Sequence, residues 1–306
     1  MRNFIIAFTV ALCVDLLTHV ALTRLITPAA PAVLTPRQYV PLVTMPVKQY
    51  PLKGVAGCYT DGASYILDID VCSNWYRAYT VPPAYLVGYN IVPKIQHRTT
   101  DFRTPFVVDY VGQNWYLLNE PDYFGNPNTS DGVTPTLGAE ILFTVAERIQ
   151  PQGARIICCD TLFGGAWLED VFSEYTLRYD GDARQRIWGY GFSIYAILGA
   201  PCGDEACIAQ HFEWQVDRAL AWVEAHDPGK PVLLTEWGWT PIQENNWTDS
   251  IRHLRLLCPI VNSKPLYAHQ FYVGTFPTWD LNQRYMSLVL EDKSISPLGV
   301  VFRDEC

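Results

Sequence analysis

Eight short apolar runs, at 53–59, 73–79, 86–95, 114–118, 154–159, 187–195, 231–235 and 265–272, punctuate the chain from about residue 52 onward. Their length and their Gly, Pro and Asp borders read as strands. Helical patterns separate the later runs. Over 207–225, Ile208, Phe212, Val216, Ala219, Leu220 and Val223 keep the 3.6-residue period until Asp227-Pro228-Gly229 stops it. A second helix is expected over 136–149, entered through Thr134-Pro135 and left at Pro151. Strand–helix alternation over roughly 250 residues predicts an α/β fold of the (β/α)8 TIM-barrel type. The first three units show no obvious helix. The alternative, a doubly wound open sheet, would ordinarily carry a Gly-rich phosphate loop after its first strand, and Gly54-Val55-Ala56-Gly57 lacks that spacing.

The rest of the chain reads as preparation for export. Met1-Arg2-Asn3 is followed by an apolar stretch from Phe4 to Val14, and a weaker one from Leu16 to Ile26. Residues 1–27 are therefore expected to be a signal peptide or membrane anchor. Asp15 and His19 favour the cleaved form, because both are costly at a bilayer centre. Residues 28–51 hold six prolines and little periodicity, which suits an extended linker. The domain proper is expected over 52–306. Nine cysteines fit an oxidising compartment, with Cys202 and Cys207 the nearest candidates for a local disulfide. A zinc site is disfavoured because no CxxC pair or nearby His cluster is present. Hydrophobic residues make up 49% and charged residues 17%, so a large core is available; the net charge of −9 argues against a nucleic-acid partner. Ten Trp and eighteen Tyr supply faces that pack on sugar rings, although core filling is the simpler fate for most of them.

Two of the strand-like runs end in a glutamate. The fourth leads into Asn119-Glu120-Pro121-Asp122, and the seventh into Thr235-Glu236-Trp237-Gly238. In a parallel barrel all strand C-termini open on one face, so these carboxylates can converge despite their separation in sequence. A pair of this kind can cleave a glycosidic bond, one carboxyl protonating the leaving oxygen and the other attacking the anomeric carbon. The plain alternative for either tripeptide alone is a strand exit with an incidental acid. Asn119 is placed to reach a sugar 2-hydroxyl. No Gly-x-Ser-x-Gly elbow is present, which disfavours an esterase.

These segments resemble clan A retaining glycoside hydrolases, in which the acid/base follows an Asn at the end of strand four and the nucleophile ends strand seven. With Val92-Pro93-Lys94, the Leu117–Asp122 segment and the Pro231–Gly238 segment, the barrel most resembles glycoside hydrolase family 128, whose members include endo-β-1,3-glucanases. The resemblance implies Glu120 as acid/base and Glu236 as nucleophile, with no metal or organic cofactor. It implies substrate contacts from Asn119, Tyr195, His269 and Tyr272, and sugar platforms among Trp75, Trp237 and Trp279, with Trp239 a further candidate. One departure stands out. Strand six ends Ser193-Ile194-Tyr195 where such barrels often carry His-x-Tyr, and His269 is the candidate to fill the histidine's place. Lys94, Gln96 and His97 follow strand three and are candidates to bind hydroxyls, with a solvated loop the safer reading for each, and Asp160 reads as either a site neighbour or an exposed cap. The expectation is a secreted or membrane-tethered monomeric retaining endo-β-1,3-glucanase acting on a polysaccharide. The alternatives are a hydrolase of β-mannan, xylan or β-1,4-glucan, or a non-catalytic carbohydrate-binding barrel.

Overall fold

The computed structural model describes residues 51–56, 67–74, 90–95, 114–125, 130–162, 164–201, 203–239, 246–272 and 285–306. The expected leader, the linker up to residue 50, Cys202, Trp75 and Trp279 lie outside these residues. Eight strands run β1 Leu52–Ala56, β2 Val71–Asn74, β3 Asn90–Ile95, β4 Asn114–Leu117, β5 Arg155–Thr161, β6 Ile187–Tyr195, β7 Val232–Gly238 and β8 Ala268–Phe271. All pair in parallel in sequence order, and β1 pairs β8 to close the barrel. The described helices are α1 Pro135–Ile149, α2 Gly165–Tyr179, α3 Glu205–His226, α4 Trp247–Ser263 and α5 Pro297–Glu305. This is the expected (β/α)8 architecture. Among the described residues, no helix is long and apolar enough to cross a membrane.

Period-two alternation sorts the strand residues into two cores. Val71, Tyr116, Ile157, Leu233 and Ala268 pack together inside the barrel, against Leu52, Trp188 and Tyr267. Their immediate neighbours, among them Trp115, Leu117, Ile156, Cys158, Val232 and Leu234, face the other way and join the helices. The helices meet them with apolar stripes: Ile208, Phe212, Val216, Ala219 and Val223 are the buried face of α3. Side-chain caps fix where the helices begin. The hydroxyl of Thr134 accepts from the Leu137 N–H before α1, and the Asp204 carboxylate accepts from the Cys207 N–H before α3.

Two strands run further than expected. β5 reaches Thr161 and β7 reaches Gly238, so Asp160 and Glu236 lie within the sheet rather than beyond it. Both strands also slip register near their ends. Cys158 pairs Tyr190 and Thr161 pairs Phe192, so β5 spends an extra residue there. Leu234 and Glu236 pair Phe192 and Ser193, while on the other side Leu234 and Trp237 pair His269 and Phe271. These are β-bulges, which re-aim side chains. Strict alternation from Leu233 would turn Glu236 outward and Trp237 inward. The bulge reverses both.

Candidate active site

The C-terminal rim of the barrel gathers the residues to which β4, β5, β6 and β7 lead. Beyond β4 the backbone turns sharply, with Leu118 at φ 68° and Glu120 at φ 45°. Non-glycine residues in this region cost on the order of 1 kcal/mol each and persist only where the surroundings hold them. The holding bonds are visible. The Glu120 N–H donates to the Asp160 carbonyl at 2.9 Å. The Asn119 N–H donates to Asp131 Oδ2 at 2.8 Å, and the Asp131 N–H returns to the Asn119 carbonyl at 2.8 Å. Asp122 Oδ1 accepts from the Leu162 N–H at 2.8 Å, joining the loops after β4 and β5.

Within this frame Glu120 and Glu236 are 7% and 4% exposed. Tyr195 donates its hydroxyl to Glu236 Oε2 at 2.6 Å, and Lys94 donates to Glu236 Oε1 at 3.0 Å. Lys94 also contacts Asp160 Oδ2 at 2.5 Å and Asn119 Oδ1. Asp160 Oδ1 in turn accepts from Ser193 Oγ at 2.7 Å and from Thr235 Oγ1. The Asp160 φ of 55° helps turn its carboxylate into the barrel.

The two glutamates differ electrostatically. Burial, then the negative charges of Glu236 and Asp160, push the Glu120 carboxyl up to about 8. Burial also raises Glu236, but Lys94 opposes it, aided by the Tyr195 hydrogen bond. The direct ammonium and hydroxyl contacts fall on Glu236 and favour its ionised form. Burial alone would lower the Lys94 ammonium, yet Asp160 and Glu236 outweigh it and hold it above its ordinary range. The Tyr195 hydroxyl is pushed well above its usual range by burial and by the adjacent carboxylates, so it stays a donor.

Of the residues expected from sequence, Asn119, Glu120, Tyr195 and Glu236 are brought together. Tyr272 lies beside them, edge-on to the Tyr195 ring with centroids 5.6 Å apart, and donates to Met286 Sδ at 2.6 Å. Three expected substrate contacts are corrected. Trp237 is not a sugar platform: it is fully buried against Phe212 and Phe271, and its indole N–H donates to His269 Nδ1 at 3.1 Å. His269 does not replace the strand-six histidine, because its Nε2 meets Asn262 Oδ1 of α4 at 3.0 Å on the outer face. Burial, with a contribution from Lys53, lowers it to about 3, which keeps the ring neutral. Trp239 likewise stacks on His253, centroids 3.7 Å apart, behind the barrel.

Lys94 and Asp160 are the residues that sequence reading left at the margin. Lys94 is not solvated but 1% exposed. A signal existed: Lys94 lies inside the strand-like run that ends at Ile95, where positions in a parallel strand are normally buried.

No protein-family model matches this chain, and no curated protein matches it. Solved structures do. A family 128 (subgroup V) exo-β-1,3-glucanase from Cryptococcus neoformans shares 13% identity at a TM-score of 0.61, covering 83% of this chain and 98% of its own. A subgroup I endo-β-1,3-glucanase variant from Amycolatopsis mediterranei, in complex with laminaritriose and laminaribiose, shares 17% at 0.59, covering 83% and 98%. A subgroup VII oligosaccharide-binding protein from Trichoderma gamsii shares 14% at 0.59, covering 84% and 96%. Likeness at these identities establishes the fold.

Proposed function

We propose that this chain is a retaining glycoside hydrolase of family 128 that cleaves β-glucan, with endo-β-1,3-glucanase the best reading. The observation that carries it is the unequal pair of buried glutamates at the ends of β4 and β7. Glu120, holding its proton to about pH 8, is the acid that protonates the leaving oxygen. Glu236, held by Lys94 and Tyr195, is the carboxylate that attacks the anomeric carbon. Once Glu236 is esterified its negative charge is gone. The second-largest influence raising Glu120 is then removed, so Glu120 gives up its proton and serves as base for the incoming water. Asn119 contributes an amide toward the sugar 2-hydroxyl.

The β-1,3-glucan assignment draws on the laminari-oligosaccharides in the Amycolatopsis complex and on the exo- and endo-glucanases that share the fold. Export across a membrane, with the N-terminal segment as signal or tether, is part of the same proposal and rests on 1–27. The non-catalytic alternative has one specific support, the oligosaccharide-binding protein among the fold relatives.

The test is reducing-end release from laminarin, β-1,4-glucan, β-mannan and xylan, with Glu236→Ala as control and the product anomer read by NMR. Release from laminarin with β-anomer formed first, abolished in Glu236→Ala, is expected. Binding without release from any glycan replaces the enzyme with a binding module. An α-anomer first product requires inversion, whose carboxyls stand about 6.5–9.5 Å apart rather than about 5–5.5 Å.

A further inference from the structure

Lys94 is a buried ammonium that meets acceptors from three other parts of the rim: Asn119 after β4, Asp160 on β5 and Glu236 on β7. A lysine head has three N–H donors and no acceptor. Wherever it touches an amide, it must therefore face the oxygen. Its contact with Asn119 Oδ1 fixes the amide so that Nδ2 points elsewhere. Its contact with Glu236 Oε1, with Tyr195 on Oε2, stops the carboxylate rotating. In a sugar ring the anomeric carbon and C2 are bonded neighbours. A nucleophile and a 2-hydroxyl donor must thus be placed in register with each other, and Lys94 touches both.

Asp160 explains how a lysine persists there. A single buried cation against one carboxylate would be costly, and burial favours its neutral form. Asp160 supplies a second negative charge and is itself held by Ser193 Oγ at 2.7 Å and by Thr235 Oγ1. The serine that stands at the expected histidine position of β6 is thus a fixed donor to this counter-ion. We propose that Lys94, anchored by Asp160, is the positioning residue that sets Asn119 and Glu236 as one unit against the substrate. This rests on the hydrolase reading above. Among the described residues, the titratable and charged groups facing Glu236 are Lys94 on β3, Glu120 after β4, Asp160 on β5 and Tyr195 on β6, with Asp122 acting on Glu120.

The experiment compares wild type, Lys94→Met and Lys94→Met/Asp160→Asn. The readouts are kcat and KM on laminarin, the pH profile, thermal unfolding, and the ionisation of Glu236 followed by NMR of 13Cδ-labelled glutamate. In Lys94→Met the kcat should fall about a hundredfold with KM little changed, as expected for a misplaced reacting group. The acid limb of kcat/KM and the Glu236 titration should both move up by at least one pH unit. The double variant removes the buried counter-ion Asp160 together with the cation. It should recover the unfolding temperature but not kcat, whereas a merely structural lysine would recover both. If Lys94→Met does not fold, the double variant carries the same readouts. A kcat and acid limb within twofold of wild type, a raised kcat, or joint recovery of stability and kcat overturns the proposal. Wild type that releases no sugar overturns the hydrolase reading instead, and the Glu236 titration still decides on Lys94: unchanged ionisation in Lys94→Met refutes it.

Discussion

Glu120 is poised at an energetic expense that can be measured. Its carboxyl binds a proton more tightly folded than unfolded, up to about 8 against an ordinary 4.5. Below 4.5 both states are protonated and the contribution to stability is fully present. Between 4.5 and about 8 the folded state holds more protons, so stability falls as pH rises. The raised Glu236 acts in the same direction. Glu120→Gln removes this slope at one residue. Its unfolding temperature is expected to change less between pH 5 and pH 8 than that of wild type, and to exceed it at pH 8, in paired thermal melts. Activity should move oppositely, since loss of a general acid costs about 10²–10⁴-fold. In the wild type kcat/KM should decline as pH rises through about 8, where Glu120 deprotonates, and decline again on the acid side as Glu236 gains a proton. A profile whose alkaline limb is unchanged in Glu120→Gln would remove Glu120 from the acid role.

The bulges on β5 and β7 do most of the work of assembling the site. They turn Asp160 and Glu236 inward and let Thr235 and Glu236 share the interior, which one strand without a bulge would not permit. Room for this comes from Gly191 on β6. A Cβ there would meet Thr235 Cγ2 at 2.8 Å and the Asp160 backbone nitrogen at 3.4 Å. Gly191→Ala is therefore expected to destabilise by about 1–3 kcal/mol and to lower kcat by displacing Asp160. Gly191→Ala/Thr235→Ser, which removes the methyl but keeps the hydroxyl donor, should regain most of both in urea unfolding and rate measurements. The same bulges mark what was legible in the sequence. Apolar runs overlapped all eight strands, the second meeting β2 only at Ser73 and Asn74, and the glutamates were visible because each terminates a run before Pro or Trp-Gly. The family resemblance offered Trp237 as a sugar platform, and no residue pattern announces the extra residue that sends it to Phe212 and His269. Lys94 was obscured for a related reason. Its burial depends on Asp160, Asn119 and Glu236, three partners remote in sequence, whereas hydropathy alone reports a lysine as solvent-seeking.

At the scale of the whole domain, barrel closure depends on how the last segment is held. α5 buries Leu298, Val301 and Phe302 beside the first and last strands, and Phe302 packs on Phe271 of β8. Lys53 of β1 donates to the Arg303 carbonyl at 3.1 Å, while Arg255 of α4 pairs Glu305 and Asn262 donates to the Cys306 carbonyl at 3.0 Å. The polar contacts are largely exposed and add little individually. The stronger tie is between Cys258 and Cys306, whose Cα atoms are 5.7 Å apart, a spacing that suits a disulfide. Such a bond would close a loop spanning 48 residues that contains the end of α4, β8 and all of α5. Loop-closure reasoning assigns it a stabilisation of about 4 kcal/mol, with native strain able to reduce that. Protein produced under oxidising conditions is expected to show no free thiol at either position by mass-mapped alkylation. Reduction, or Cys306→Ala, should lower the unfolding temperature by about 2–4 °C for each kcal/mol lost. Because α5 packs on the outer face of β1 and β8, against Phe271 and Lys53, whereas Lys94 and Glu236 meet inside the barrel, kcat at 25 °C should be retained below the new melting point. An equal loss of kcat in Cys306→Ala at that temperature would show instead that the C-terminal helix is coupled to the rim, and free thiols at both positions would remove the bond from the account.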